Sequence, residues 1–251
     1  GEDKGIMAVE ESFGTELLEF NRRKDGVIFK LDETNAVIEK INPTAKNNLE
    51  IFGSFLTTYI TPFNQSKVSE DEAHKQQLAI AQGLMRGFMD NSIMPSDVFE
   101  IEKIGKFLSI LEIFGAAHTM DWRNIRFYLN PYTLKVEPIS YDSSITNPAP
   151  IGSIANTELG KAILADPIIF ESFKKELVNI SKDILDNKWF SELSKMDAEI
   201  LKKFGNEFIF VREFPFNLFK SRINNIIQNP ELSYPTSEMD TIKPNYMDDY
   251  D

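Results

Sequence analysis

Asn124-Ile125-Arg126-Phe127-Tyr128-Leu129-Asn130-Pro131-Tyr132-Thr133-Leu134-Lys135-Val136-Glu137-Pro138-Ile139 is the stretch on which the fold turns. Residues 125–129, apolar or aromatic apart from Arg126, are too few for a helix and read as a strand. Asn130-Pro131-Tyr132-Thr133 reads as a turn, because proline pre-sets the φ that its second position requires. Residues 134–139 form the returning strand. A turn centred on Pro131 and Tyr132 predicts that paired residue numbers add to about 263, which sets Asn124 opposite Ile139. Asp142 then follows at the same open end of the hairpin.

Outward from this hairpin the period changes to that of a helix. Ser69-Glu70-Asp71-Glu72 has the spacing of a capping box and predicts a helix to about Asp90, with Ala73, Ile80, Leu84 and Phe88 on one face. Pro95-Ser96-Asp97, with Glu100 three residues on, predicts a second helix reaching Ala117. Its apolar residues fall on more than one face, as in a central buried helix. Residues 5–9 suit a buried strand, 12–24 a helix and 27–31 a strand. Residues 32–66 read as short helices and loops, and 143–156 as loop. Helices are expected over 157–165, 167–186, 188–204 and 215–228. The fold class is therefore α+β and helix-rich. One domain spans 1–230, and 231–251 form an acidic, polar tail.

Composition narrows the function classes. The chain has 251 residues, 39 acidic against 27 basic side chains, a net charge of −12 and no cysteine. The acid excess disfavours nucleic acid, whose phosphates call for a basic surface. The lack of cysteine excludes thiol catalysis, thiolate-bound zinc and disulfides. No run of 18 apolar residues is present, so no membrane-spanning helix is expected. The opening Gly1-Glu2-Asp3-Lys4 suggests a mature or trimmed form, and secretion stays open.

The candidate chemistry lies in His118-Thr119-Met120-Asp121-Trp122-Arg123-Asn124 and in Asp142. Hairpin geometry brings Asp121, Asn124 and Asp142 towards one point. Two carboxylates and an amide oxygen suit a hard cation such as Mg²⁺. The order of parts is that of kinase-fold phosphotransferases: a catalytic-loop Asp, an Asn a few residues on, and a metal-binding Asp beyond a hairpin. Plainer readings stand beside these. Asp121 can cap a turn, Asn124 can bond its own loop, and Asp142 can be an ordinary loop residue. His118 continues the 111, 114, 118 face and reads as a structural histidine, Trp122 as packing, and Met85, Met89 and Met94 as core filler. Two histidines on separate segments, His74 and His118, are too few for a zinc hydrolase, and no G-x-S-x-G occurs.

Three blocks carry a family resemblance: Phe99-Glu-Ile-Glu-Lys-Ile-Gly-Lys-Phe-Leu, His118-Thr-Met-Asp-Trp-Arg-Asn-Ile-Arg-Phe-Tyr, and Leu134-Lys-Val-Glu-Pro-Ile-Ser-Tyr-Asp142. Together they resemble the CotH (spore coat protein H) type of atypical kinase. Gly5-Ile-Met-Ala-Val-Glu-Glu-Ser-Phe and Asn21-Arg-Arg-Lys-Asp-Gly-Val-Ile-Phe-Lys are similar to the segment after that family's central strand. The resemblance implies a kinase-like C-lobe whose hairpin carries the metal site, lacking the family's N-terminal nucleotide lobe. It implies Asp121 as the catalytic-loop acid, Asn124 and Asp142 as ligands of Mg²⁺ or Mn²⁺ with ATP, and Glu10 and Glu11 bordering the nucleotide. The activity implied is phosphorylation of a protein hydroxyl, in a secreted or cell-envelope setting. The alternative is a non-catalytic, pseudokinase-like binding module. Ser144 stands where the family has a second Asp, and no G-x-G-x-x-G occurs.

Overall fold

A computed structural model describes residues 12–34, 55–143, 145, 147–186, 188–205, 208 and 212–229. The expected strand at 5–9, Glu10, Glu11 and the tail at 231–251 lie outside the described residues. The architecture is mixed α and β: a small antiparallel sheet with many helices. The chain divides into two compact units. The first comprises residues 1–103 and 121–142, the second 104–120 and 143–251.

The first unit holds the sheet, in the order β2-β1-β3-β4 with all pairs antiparallel. The strands are β1 (Ile28–Leu31), β2 (Ile60–Pro62), β3 (Arg126–Leu129) and β4 (Val136–Ile139). Around them lie α1 (Thr15–Phe20), α2 (Gln65–Glu70), α3 (Glu72–Met89) and α4 (Pro95–Val98). Alternation along a strand sends successive side chains to opposite faces, and here both faces are covered. On one face Leu18, Ile28 and Tyr128 pack with Phe13, Leu17, Phe63 and Ile139. On the other an aromatic series runs Phe55–Phe88–Phe99–Phe127–Phe29, with neighbouring rings 5.2–6.1 Å apart. Both proline-bearing strands, β2 and β4, lie at the sheet edges, where the missing N–H costs no ladder bond.

Four local readings change. The hairpin pairs Arg126 with Ile139, so paired numbers add to 265 rather than 263. Asn130 causes the shift. Its side chain accepts from Tyr132 N at 3.0 Å and its carbonyl from Leu134 N at 2.8 Å, lengthening the turn. Leu134 is thereby held at φ 54°. The helix at 72 starts from Asp71, whose carboxylate accepts from Ala73 N at 2.8 Å. Ser69 instead belongs to α2 and donates to Ser66 O. The helix expected at 95–117 breaks at Phe99, whose backbone is extended, and restarts as α5 (Ile101–Phe114). Glu100 caps that restart by accepting from Lys103 N at 2.7 Å. β2 falls in the span read as helix and loop.

The second unit takes α5 from Ile104 onward. That helix stops one turn earlier than expected, at a Schellman ending: Gly115 has φ 65°, Ala116 N donates to Leu111 O and Gly115 N to Glu112 O. A 3₁₀ turn (Ala117–Met120) follows, and it leaves His118 exposed rather than on the buried face. The remaining helices are α6 (Glu158–Leu164), α7 (Pro167–Asp186), α8 (Trp189–Phe204) and α9 (Phe216–Gln228), all where the 3.6-residue period predicts them. No described helix is long and apolar enough to cross a membrane.

Candidate functional site

All described candidate residues, Asp121, Asn124 and Asp142, belong to the sheet-bearing unit. Asp121 opens a tight turn into β3. Its carbonyl accepts from Asn124 N at 2.8 Å and from Ile125 N at 3.3 Å. Its carboxylate is held in turn by Arg123: Oδ1 accepts from Arg123 N at 3.0 Å and from Arg123 Nε at 2.7 Å, while Nη2 binds Oδ2. This is a two-pronged guanidinium–carboxylate contact between half-buried partners. Asp121 therefore caps its turn, and its lone pairs are shared with a cation two residues away.

The β3–β4 ladder ends with Arg126 opposite Ile139. Beyond it Asn124 closes the turn opened by Asp121, while the segment after β4 runs on through Ser140 and Tyr141. Asp142 is the next residue. Asn124 is half-buried and Asp142 exposed. Asp142 has φ 49°, a left-handed conformation that few residues other than Gly, Asn and Asp adopt. Trp122, between Asp121 and Asn124, is buried packing. Met85 and Met89 are core residues, whereas Met94 is exposed.

A metal ion can be tested against this donor set. Among the described residues, no three His, Cys, Asp or Glu side chains are grouped to hold one. Asp121 is engaged by Arg123, so the donor set to weigh is the Asn124 amide and the Asp142 carboxylate. That set fits Mg²⁺ or Mn²⁺ accompanied by phosphate and water, because Mg²⁺ is commonly held through one or two protein oxygens and completes its shell from its ligand. It does not fit an ion caged by protein alone.

Two side chains beside the pair escaped the sequence reading. Arg126 is 6% exposed, although strand arginines usually reach solvent. Its guanidinium lies 4.5 Å from the Tyr141 ring centroid, 5.6 Å from that of Phe63 and 5.9 Å from that of Phe13. Burial pushes its pKa below the ordinary arginine value, against the opposing charges of Glu33 and Tyr141. Neither Arg126 nor Tyr141 carries a sequence signal beyond its type; the sheet register brings them together.

A second polar cluster lies in the same unit beside a cavity of about 30 Å³ lined by Asp25, Asn64, Lys67 and His74. Lys67 Nζ lies 2.7 Å from both Asp25 oxygens. His74, 6% exposed, has Nδ1 2.9 Å from Asp71 Oδ2 and Nε2 3.6 Å from Asp25 Oδ1. Burial raises the Asp25 pKa, but the Lys67 hydrogen bond and charge, with His74, outweigh it and leave it below the ordinary carboxylate value.

Comparisons of the chain with protein-family models, with curated proteins and with solved structures return no match.

Proposed function

We propose that the chain is an ATP- and Mg²⁺-dependent phosphotransferase of the CotH-like atypical-kinase kind, acting on a protein hydroxyl. The observation that supports this reading best is the β3–β4 pairing, which ends with Arg126 opposite Ile139 and so leaves Asn124 and Asp142 at the same open end of the hairpin. In this reading Asn124 and Asp142 hold Mg²⁺ or Mn²⁺, whose charge offsets that of the transferring phosphate. Asp121 is the acceptor for the substrate hydroxyl proton once Arg123 swings away. Arg123 is about one-third exposed, so that release needs no core rearrangement. A secreted or cell-envelope setting and a partner protein belong to the same proposal. The net charge of −12 keeps nucleic acid out of it.

The test is transfer of phosphate from ATP, with Mg²⁺ or Mn²⁺, to the chain itself or to an acceptor protein, read by mass spectrometry. Transfer should disappear in Asp142→Ala and Asn124→Ala. Transfer that persists in Asp142→Ala contradicts the metal assignment. One specific observation favours the alternative, a non-catalytic binding module: the Arg123 fork already occupies the carboxylate that catalysis would use. Nucleotide binding without transfer, in the wild type and in Arg123→Ala alike, decides for that alternative.

A further inference from the structure

Arg126 is costly where it stands. It is a charge with 6% exposure, its Nε has no hydrogen-bond partner, and aromatic rings surround its guanidinium. Burying a charge with an incomplete set of bonds is unfavourable, and an apolar side chain of similar size is often as good for stability. What Arg126 does hold is specific. Its Nη1 donates to Arg123 O at 2.6 Å and to Ile125 O at 3.2 Å. Those two carbonyls flank Asn124. The same guanidinium sits over the ring of Tyr141, which immediately precedes Asp142 and also packs edge-on against Phe13 at 5.5 Å. Arg126 thus touches the chain on both sides of Asn124 and the residue before Asp142, and the latter is held in a left-handed conformation.

We propose that Arg126 is a positioning residue for the metal site: it clamps the backbone around Asn124 to Tyr141, and so holds the segments that carry Asn124 and Asp142 together. This rests on the reading of Asn124 and Asp142 as a metal pair. The clamp touches neither metal nor phosphate and works through the two ligands' backbones, as outer-shell groups do in other metal sites. Tyr141 is its other jaw, through its ring face rather than its hydroxyl.

The experiment is a titration of the full chain with Mn-ATP, bound complex being counted by equilibrium dialysis, alongside thermal melts. Arg126→Met should weaken Mn-ATP binding about 10- to 100-fold, the range for loss of an outer-shell partner, while the melting temperature holds or rises. Tyr141→Leu should weaken binding similarly, and Tyr141→Phe, which keeps the ring, should restore it. A merely structural arginine predicts the opposite pairing, a lower melting temperature with unchanged affinity. If Arg126→Met does not fold, the Tyr141 pair carries the test, since that ring is only half-buried. Wild-type affinity in Arg126→Met, or equal affinity in Tyr141→Leu and Tyr141→Phe, overturns the clamp while Asp142→Ala still abolishes binding. No Mn-ATP binding by the wild type overturns the metal pair itself, and the clamp with it.

Discussion

Arg222→Met should be among the most destabilising single changes in the helical unit. Glu112 on α5 is 1% exposed, and the Arg222 side chain on α9 is 9% exposed. Arg222 Nε and Nη2 donate to Glu112 O at 2.9 and 2.7 Å, Nη1 to Ala149 O at 2.6 Å, and Nη2 reaches Glu112 Oε1 at 3.1 Å. Methionine keeps much of the stem volume but removes every one of these donors. It leaves the Glu112 carboxylate with the 2.9 Å bond from Gly152 N but without the Arg222 guanidinium. Breaking one side of such a pair costs about 3–5 kcal/mol. Glu112→Leu combined with Arg222→Met removes the stranded charge and leaves chiefly unpaired carbonyls, a cost of about 1–3 kcal/mol. The double variant should therefore be more stable than Arg222→Met alone. Urea unfolding followed by Trp189 fluorescence reports on this unit, because Trp189 packs 5.8 Å from Phe114; Trp122→Phe removes the other indole. A single-variant cost below about 1 kcal/mol, or a double-variant cost equal to the sum of the two singles, refutes the reasoning.

Three further outcomes follow from the sheet unit. Asp25 has a folded pKa below its unfolded 3.8, so its contribution to stability is present above that value and lost as pH falls through the folded one. Lys67→Met should flatten this part of the acid limb in pH-dependent urea titrations, and an unchanged limb counts against the pair. Tyr128, whose hydroxyl donates to Lys24 O at 2.7 Å, has its pKa pushed up to about 12 by burial, with Glu137 adding to the effect. Its phenol should ionise last in an ultraviolet titration, and stability should fall as pH rises from 10 towards 12, because the unfolded chain gives up that proton first. Leu134→Gly relieves a side chain held at φ 54° and exposed by 46%, so it should stabilise the hairpin by about 0.5–1 kcal/mol despite glycine's entropy. A loss of stability there would show that the Leu134 side chain has a packing role.

The helices of the second unit were legible because each carries an apolar stripe long enough to fix a 3.6-residue period. The β3–β4 hairpin was legible from its aromatic run and proline turn. Its register was not, since that depended on Asn130 bonding its own loop and on Leu134 accepting a left-handed backbone. Ile60-Thr61-Pro62 is too short, and too marked by proline, to announce an edge strand. His118 was misread because the Schellman ending at Gly115 rotated it away from the buried face. At the site, the sequence named Asp121, Asn124 and Asp142. It did not show that Arg123 grips Asp121, a contact that needs the turn closed by Asn124 N to Asp121 O. Nor did it show Arg126 buried among three rings, which depends on strand order and on residues from 13 to 141.

The central claim is that Asn124 and Asp142 hold a divalent cation together with a nucleotide, and Mg-ATP thermal shift tests it most directly. At a concentration one hundred times the dissociation constant, binding to the folded state alone adds about 2.7 kcal/mol. For a chain of this size that raises the melting temperature by roughly 5–10 °C. The account predicts that shift for the wild type with Mg-ATP, little for ATP with chelator, and none for Asp142→Ala. An equal shift in Asp142→Ala, or no shift in the wild type at saturating Mg-ATP, contradicts it.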